Sequence, residues 1–137
     1  MNNKKETLIT AIRKASGKIA KSPDYEWGHM GRCNCGHLAR ELTSLTDAEI
    51  QRMAMEKKGD WADQVLDYCP ESGLEMDWLI SELCSFGLVQ KDLIDLERLS
   101  NEMVVSKIGN RNLSKNQASD VALYMETWAS ILEAEPA

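Results

Sequence analysis

The sequence predicts an all-α protein, a single compact domain of about seven to eight short helices that is not a simple four-helix bundle. Three observations support this prediction. Apolar residues recur at spacings of three and four along the chain, which is the period of an amphipathic helix. Capping residues, glycines and prolines divide the chain into short segments. No segment alternates apolar and polar residues in the way that a half-buried strand requires.

The composition agrees with one folded domain over residues 1–137. Hydrophobic residues make up 43% of the chain and charged residues 28%, close to the average for globular proteins. No run of about 18 apolar residues occurs, so we expect neither a membrane span nor a secretory leader. We therefore expect a cytoplasmic protein whose four cysteines are reduced and form no disulfides.

The first predicted element is a basic helix over about residues 5–20. Its apolar stripe consists of Leu8, Ile12, Ala15 and Ile19. Residues 1–22 carry six Lys and Arg residues against one acidic residue, whereas the whole chain has a net charge of −6. The rest of the chain is therefore acidic and repels phosphate backbones, which argues against general nucleic-acid binding unless the first helix acts alone. We expect the basic helix to pack against this acidic body.

The second predicted element is an ordered Gly-, Cys- and His-rich loop over residues 22–36. It is interrupted by Pro23, Gly28, Gly31 and Gly36. We expect the aromatic side chains of Tyr25 and Trp27 to anchor this loop to the core. The predicted helical body follows over residues 37–134.

The helical body begins with three short helices. A leucine stripe that starts at Leu38 marks the first of them. Thr46 and Glu49 form a capping box that opens the second. Asp60 is the predicted N-cap of the third, which carries Trp61.

Four more helices are predicted in the second half of the chain. One runs over about residues 74–86, and the next begins near Lys91. Ser100 is the predicted cap of a short helix. A second capping box, Ser114 with Gln117, opens a long amphipathic helix that closes the body.

The segment with the most distinctive chemistry contains both histidines and two of the four cysteines within nine residues. Thiolate and imidazole are the ligand types that suit Zn²⁺. The predicted ligands of a structural or regulatory transition-metal site, most concretely zinc, are His29, Cys33, Cys35 and His37. Their spacing is tighter than that of the paired ligands in most structural zinc modules.

Two alternatives use other properties of the same segment. Gly31, Arg32 and Gly36 offer backbone amides and a guanidinium group beside a helix N-terminus, which is typical of an anion or small-ligand site. Cys35 lies near a helix start, where a lowered thiol pKa would suit a thiol-dependent enzyme. No histidine and no predicted strand follow His37, so we assign no catalytic residue and favour a non-enzymatic role.

The last alternative treats the Cys/His segment as structural. The protein is then a helical interaction or regulatory module without a metal, which binds a protein partner through its surface. Cys69 and Cys84 lie in apolar sequence settings and are expected to be inert.

Overall fold

Helices joined by turns build the fold. The computed structural model describes residues 3–21 and 25–135. The helices are α1 (Asn3–Lys21), α2 (Asn34–Thr43), α3 (Asp47–Ala54), α4 (Trp61–Leu66), α5 (Glu75–Cys84), α6 (Gln90–Arg98), α7 (Glu102–Ile108) and α8 (Ala118–Ala134). No strand occurs within these two ranges, so the all-α prediction is confirmed. Residues 22–24 of the predicted loop lie outside the described residues.

The helices form one compact arrangement that is not a four-helix bundle. The longest helix, α1, packs along α8 and against α2, while α4 packs against α6. The remaining main contacts join α7 to α8, α2 to α6 and α3 to α5. Each helix from α2 to α7 has ten residues or fewer. The core therefore depends on contacts among many short helices, because none of these helices is long enough to be stable alone.

The basic helix α1 lies against acidic parts of its own chain. The four residues of its predicted apolar stripe are buried. On its outer face, Arg13 donates two hydrogen bonds to the carboxylate of Glu133 in α8, at 2.9 and 3.1 Å. Lys18 forms an ion pair with Glu41 in α2. Arg13 and Lys18 thus face acidic partners within the fold.

Two of the predicted helix caps form. The Thr46 hydroxyl accepts the Glu49 backbone N–H at 3.1 Å, and the Glu49 carboxylate accepts the Thr46 N–H at 3.0 Å. Asp60 accepts the backbone N–H of Asp63 at 2.9 Å and caps α4. These side chains satisfy backbone donors that helix starts leave without intrahelical partners.

Two other caps differ from the prediction. The N-cap of α7 is Asn101, whose side chain accepts two backbone N–H groups, rather than the neighbouring Ser100. At α8, Gln117 is the N-cap without a side-chain cap bond, so the predicted box with Ser114 does not form. The Ser114 N–H instead donates to the Asp120 carboxylate at 2.9 Å.

Helix α2 begins within the segment that was predicted to be a loop. Cys33 is its N-cap, and the Cys33 Sγ accepts the backbone N–H of Gly36 at 3.4 Å. The loop before α2 therefore ends at residue 33 instead of 36. A Cβ on Gly36 would lie 2.4 Å from the Met30 carbonyl oxygen, so the absence of a side chain permits this close packing.

The structure bears on two predictions made for the whole chain, the state of the cysteines and the absence of a membrane span. All four cysteines are free, in agreement with the expectation of no disulfides. Cys69 is exposed, however, so the apolar setting that was predicted for it is wrong. Cys84 is partly buried. Among the helices that the structure describes, none has the length and apolar character needed to cross a membrane.

Candidate functional site

The predicted zinc site does not form. Within residues 3–21 and 25–135, no group of three or more His, Cys, Asp or Glu side chains could hold a metal ion. The reason lies in the early start of α2. Successive helical residues are rotated by about 100°, so Cys35 and His37 project about 160° apart, on nearly opposite sides of the helix. The zinc prediction is therefore wrong.

Each predicted zinc ligand has a structural role. His29 accepts the Gly31 backbone N–H through Nδ1 at 3.0 Å. Cys33 caps α2, and the Cys35 thiol donates to the Leu93 carbonyl of α6 at 3.4 Å. The buried His37 ring is stacked on Tyr25, with the ring centroids 6.2 Å apart. The four side chains thus tie the segment to its neighbours.

The two buried thiols are not activated. Burial raises the pKa of both Cys33 and Cys35 well above the ordinary value, and the nearby Glu97 carboxylate raises both further. The sequence predicted a lowered pKa for Cys35 because it lies near a helix start. Desolvation outweighs the effect of the helix start because the Cys35 side chain has no exposure to water.

The residues of the predicted anion site make contacts within the fold. The Arg32 guanidinium donates to the Asp47 carboxylate at 2.7 Å and lies 3.6 Å from Glu26. A Cβ on Gly31 would lie 2.2 Å from the Asp47 carbonyl oxygen. Gly31 and Gly36 therefore allow close backbone approach. Anion binding by this segment stays a prediction.

Residues 25–33 are held against the segment that precedes α8. The Tyr25 hydroxyl donates to the Lys115 carbonyl at 2.5 Å. The Lys115 ammonium lies over the Trp27 ring, 4.4 Å from its centroid, as in a cation–π contact. Tyr25 also packs against the hydrophobic core, as expected, whereas the Trp27 ring is positioned by its contact with Lys115.

A cleft opens beside Trp27. Its volume is about 360 Å³, which lies within the range of small-molecule sites. One wall is the turn at residues 27–30, and the other is formed by the end of α3 and the start of α4. We call it the Trp27 cleft, and its lining includes Trp27, Met30, Gln51, Met55, Asp60 and Gln64.

Two buried polar atoms of the Trp27 cleft residues lack hydrogen-bond partners within the described part of the chain. They are Nε1 of Trp27 and Oε1 of Gln64. Gln64 is only 1% exposed, and its Nε2 donates to the carbonyls of Ala54 and Gly59, at 3.0 Å each. Buried polar groups are nearly always paired, so an unpaired donor and an unpaired acceptor in the lining residues of one cleft are unusual.

Lys57 also lines the cleft, but its ammonium is engaged in the fold. It donates to the Gln64 and Asp67 carbonyls at 3.1 and 3.0 Å and to the Asp77 carboxylate at 2.7 Å. Burial raises the pKa of Asp77, but the hydrogen bonds from Lys57 and Ser72 outweigh it and hold this pKa below its ordinary value. The three donors of the ammonium are thereby used.

A buried acid interacts with Asp60, which lines the cleft. Glu97 in α6 is 1% exposed, and its Oε1 has no hydrogen-bond partner among the described residues. Burial and the charge of Asp60 raise the pKa of Glu97 to about 7, although the Trp61 backbone N–H and the Lys115 charge oppose them. The Glu97 carboxyl thus holds its proton more tightly than an exposed glutamate does.

The sequence analysis did not identify Gln64 or Glu97. The helical period contained a signal for both. Gln64 follows Trp61 by three positions, and Glu97 follows Leu93 by four, so each polar residue falls on the apolar face of its helix. A polar residue on a buried face is more informative than an exposed apolar one.

Comparisons with known proteins identify no relative. No protein-family model matches the chain, and searches of curated proteins and of solved structures find no match. Inference of function therefore depends on the geometry of the cleft.

Proposed function

We propose that the protein binds a small polar molecule in the Trp27 cleft. The observation that carries the proposal is the cleft, whose lining includes Trp27 and Gln64. Each of these residues has a buried polar atom, the Trp27 indole N–H and the Gln64 amide oxygen, that finds no partner in the described chain. An unsatisfied buried polar group costs roughly 1–3 kcal/mol, and a ligand that pairs with both groups recovers this cost.

The lining of the cleft supports the same proposal. Met30, Ala54 and the Trp27 ring provide apolar surface, whereas Gln51 and Gln64 provide polar groups. An apolar pocket with a few convergent polar groups is the usual form of a small-molecule site. The contacts with Lys115 orient the Trp27 ring before any ligand arrives, which reduces the entropy cost of binding.

The experiment is a fragment titration that is observed by NMR through the indole N–H signals of the four tryptophans. Comparison with the Trp27→Phe variant assigns the Trp27 signal. We expect some fragments to shift this signal and to leave that of Trp78, a half-exposed residue in α5, in place. The proposal fails if no fragment in a chemically diverse set moves the Trp27 signal.

A blocking variant provides the control. Gly28 lines the cleft, and a Cβ on this residue would meet nothing within 4 Å. Gly28→Phe therefore places a ring at the cleft without a clash near the backbone, and we expect it to abolish fragment binding. Gly28→Ala is the matched variant and should bind fragments as the unmodified protein does.

A protein partner is a second candidate, favoured by large apolar side chains on the surface. Met55 at the edge of the cleft is 74% exposed, and Leu66 is 64% exposed. If this candidate is correct, Met55→Ser and Leu66→Ser should weaken capture of a partner without loss of stability. A cytoplasmic location and the absence of general nucleic-acid binding stay predictions of the sequence.

A further inference from the structure

A groove between α7 and α8 exposes large apolar side chains. Lys107 and Ile108 of α7 form one wall, and Leu123 of α8 lies on the other, around a volume of about 360 Å³. Leu123 is 47% exposed, and Met103, one turn before Lys107 on α7, is 63% exposed. Exposed apolar side chains that share one surface are typical of a protein contact. We call the surface formed by Met103, Lys107, Leu123, Glu126, Thr127 and Ser130 the α7–α8 face.

The exposed side of α8 carries an uncharged stripe. Thr127, Ser130 and Ala134 follow Leu123 by four, seven and eleven residues, which keeps them within about 40° of it around the helix. Leu123, Ser130 and Ala134 are exposed, and Thr127 is partly exposed. A surface helix normally presents charged residues to water on this side. Spacings of four, three and four residues are instead typical of two helices that pack side by side.

Opposite charges flank the stripe. Glu126 lies on the side that faces α1, because it precedes by seven residues Glu133, whose carboxylate accepts two hydrogen bonds from Arg13. On the other side, the Tyr124 hydroxyl accepts the N-cap N–H of α7 at 3.1 Å, so this side faces α7 and its Lys107. The stripe therefore has an acidic edge toward α1 and a basic edge toward α7.

The order of these charges distinguishes between the two ways in which the stripes of two copies can meet. A two-fold axis parallel to α8 places the α1 side of one copy against the α7 side of the other. Glu126 of each protomer then approaches the partner's Lys107. An axis perpendicular to α8 makes the helices antiparallel and places like sides together, so Glu126 approaches the partner's Glu126. Coulomb energies therefore favour the parallel arrangement.

We propose that the α7–α8 face binds a second copy of this chain in a two-fold dimer with parallel α8 helices. Leu123 packs against the partner's Leu123, and the small side chains of Thr127 and Ser130 allow the two helices to approach closely. Two pairs of Glu126 with the partner's Lys107 determine the orientation. The stripe is narrow and its side chains are small, so we expect a dimer that dissociates on dilution.

Sedimentation of the full-length protein from micromolar to millimolar concentration tests the proposal. We expect a reversible change from monomer to dimer. Leu123→Lys should raise the dissociation constant of the dimer roughly tenfold or more, because it places a charge at the centre of the contact. Leu66→Lys is the matched control, since Leu66 is 64% exposed and lies on α4. A monomer at every concentration, or a dimer that Leu66→Lys weakens and Leu123→Lys does not, overturns the inference.

Charge reversal tests the pairing across the dimer. Lys107→Glu and Glu126→Lys each place like charges across the contact twice and should weaken dimerisation several-fold at low salt. The double variant exchanges the two signs and should regain the affinity of the unmodified protein. In an antiparallel dimer, or in a contact elsewhere, the double variant would regain nothing, and that result overturns the proposed pairing.

Disulfide formation between copies tests the direction of the axis. Thr127 and Ala134 are about 10 Å apart along α8, so a perpendicular axis can bring only one of the two positions next to its own copy, whereas a parallel axis brings both. The background is Cys69→Ser, which removes the exposed thiol and should give no covalent dimer alone. In it, Thr127→Cys and Ala134→Cys should each give a covalent dimer under mild oxidation. A covalent dimer from only one of the two variants, or from neither, overturns the parallel arrangement.

Discussion

Glu97 is a single ionisable residue whose position makes the stability of the fold depend on pH. It is fully enclosed between α6, the buried thiols of Cys33 and Cys35, and the start of α4 at Asp60. Its pKa in the folded protein is about 7, above the ordinary value of 4.5. The folded state thus binds a proton more tightly than the unfolded chain does.

We predict that Glu97→Gln removes this pH dependence. A raised pKa contributes stability that is fully present below pH 4.5 and is lost as the pH rises through about 7. The shift corresponds to about 3 kcal/mol between these limits. The measurement is the free energy of unfolding in urea from acidic to mildly alkaline pH. Relative to the unmodified protein, Glu97→Gln should gain this amount over the range, and equal pH dependence of the two proteins would refute the prediction.

Lys57 and Asp77 form a buried ion pair in which each partner depends on the other. Their side chains are 4% and 3% exposed, and the N–O distance is 2.7 Å. We predict that Lys57→Met lowers the free energy of unfolding by roughly 3–5 kcal/mol, because it leaves the Asp77 carboxylate buried without its cation. Chemical denaturation at neutral pH measures the change.

The neighbouring residue Lys58 provides the control for this prediction. Lys58 is exposed and has the same side chain, so Lys58→Met should leave stability nearly unchanged. The double variant Lys57→Met with Asp77→Leu should recover part of the loss, since it removes the charge that is left unpaired. Equal effects of Lys57→Met and Lys58→Met would show that the buried pair has no special role.

At the scale of elements, the start of α2 depends on close packing between backbones. The turn at residues 27–31 contacts the start of α3 through Gly31 and the first turn of α2 through Gly36. Neither of these glycines has a positive φ. Their requirement is therefore for space and not for a left-handed backbone.

We predict that Gly31→Ala destabilises the protein by about 1–3 kcal/mol, the usual cost of overpacking. Its Cβ would lie 2.2 Å from the Asp47 carbonyl oxygen, and backbone atoms cannot move aside as the end of a flexible side chain can. Gly28→Ala, in the same turn, has open space around the added Cβ and should leave the melting temperature nearly unchanged. Thermal unfolding of the two variants measures the difference, and similar melting temperatures would contradict the prediction.

At the scale of the whole molecule, α1 joins α8 and α2 and brings the two ends of the chain together. This contact has a buried apolar side, which includes Ile12 at 0% exposure, and an exposed charged side, which includes the pair of Arg13 with Glu133. The basic character of α1 and the acidic character of the rest of the chain are both visible in the sequence. The free energies of apolar burial and of the exposed ion pair decide which of the two sides holds the helix in place.

We predict that Ile12→Ala lowers the free energy of unfolding by about 2–5 kcal/mol, while Arg13→Ala leaves it nearly unchanged. Removal of a fully buried side chain leaves a cavity, whereas an exposed ion pair is screened by water and salt. Urea unfolding at low and high salt measures both variants. A larger loss for Arg13→Ala would show that charge, and not burial, attaches α1.

The sequence by itself determined the approximate positions of the helices. The apolar stripe of α1, the capping box of Thr46 with Glu49 and the Asp60 cap all act within a few residues, so local spacing was enough to predict them. Gln64 and Glu97 could also have been found as polar residues on apolar faces.

Tertiary structure alone decided how the chemistry-bearing residues are used. Zinc binding requires side chains to converge, and the start of α2 at Asn34 turned Cys35 and His37 in different directions. Activation of Cys35 required contact with water, which its burial against α6 removed. The cleft between Trp27 and Gln64 joins residues that lie far apart in the chain. Residue types and local spacing cannot specify such distances, because these depend on how separate helices pack.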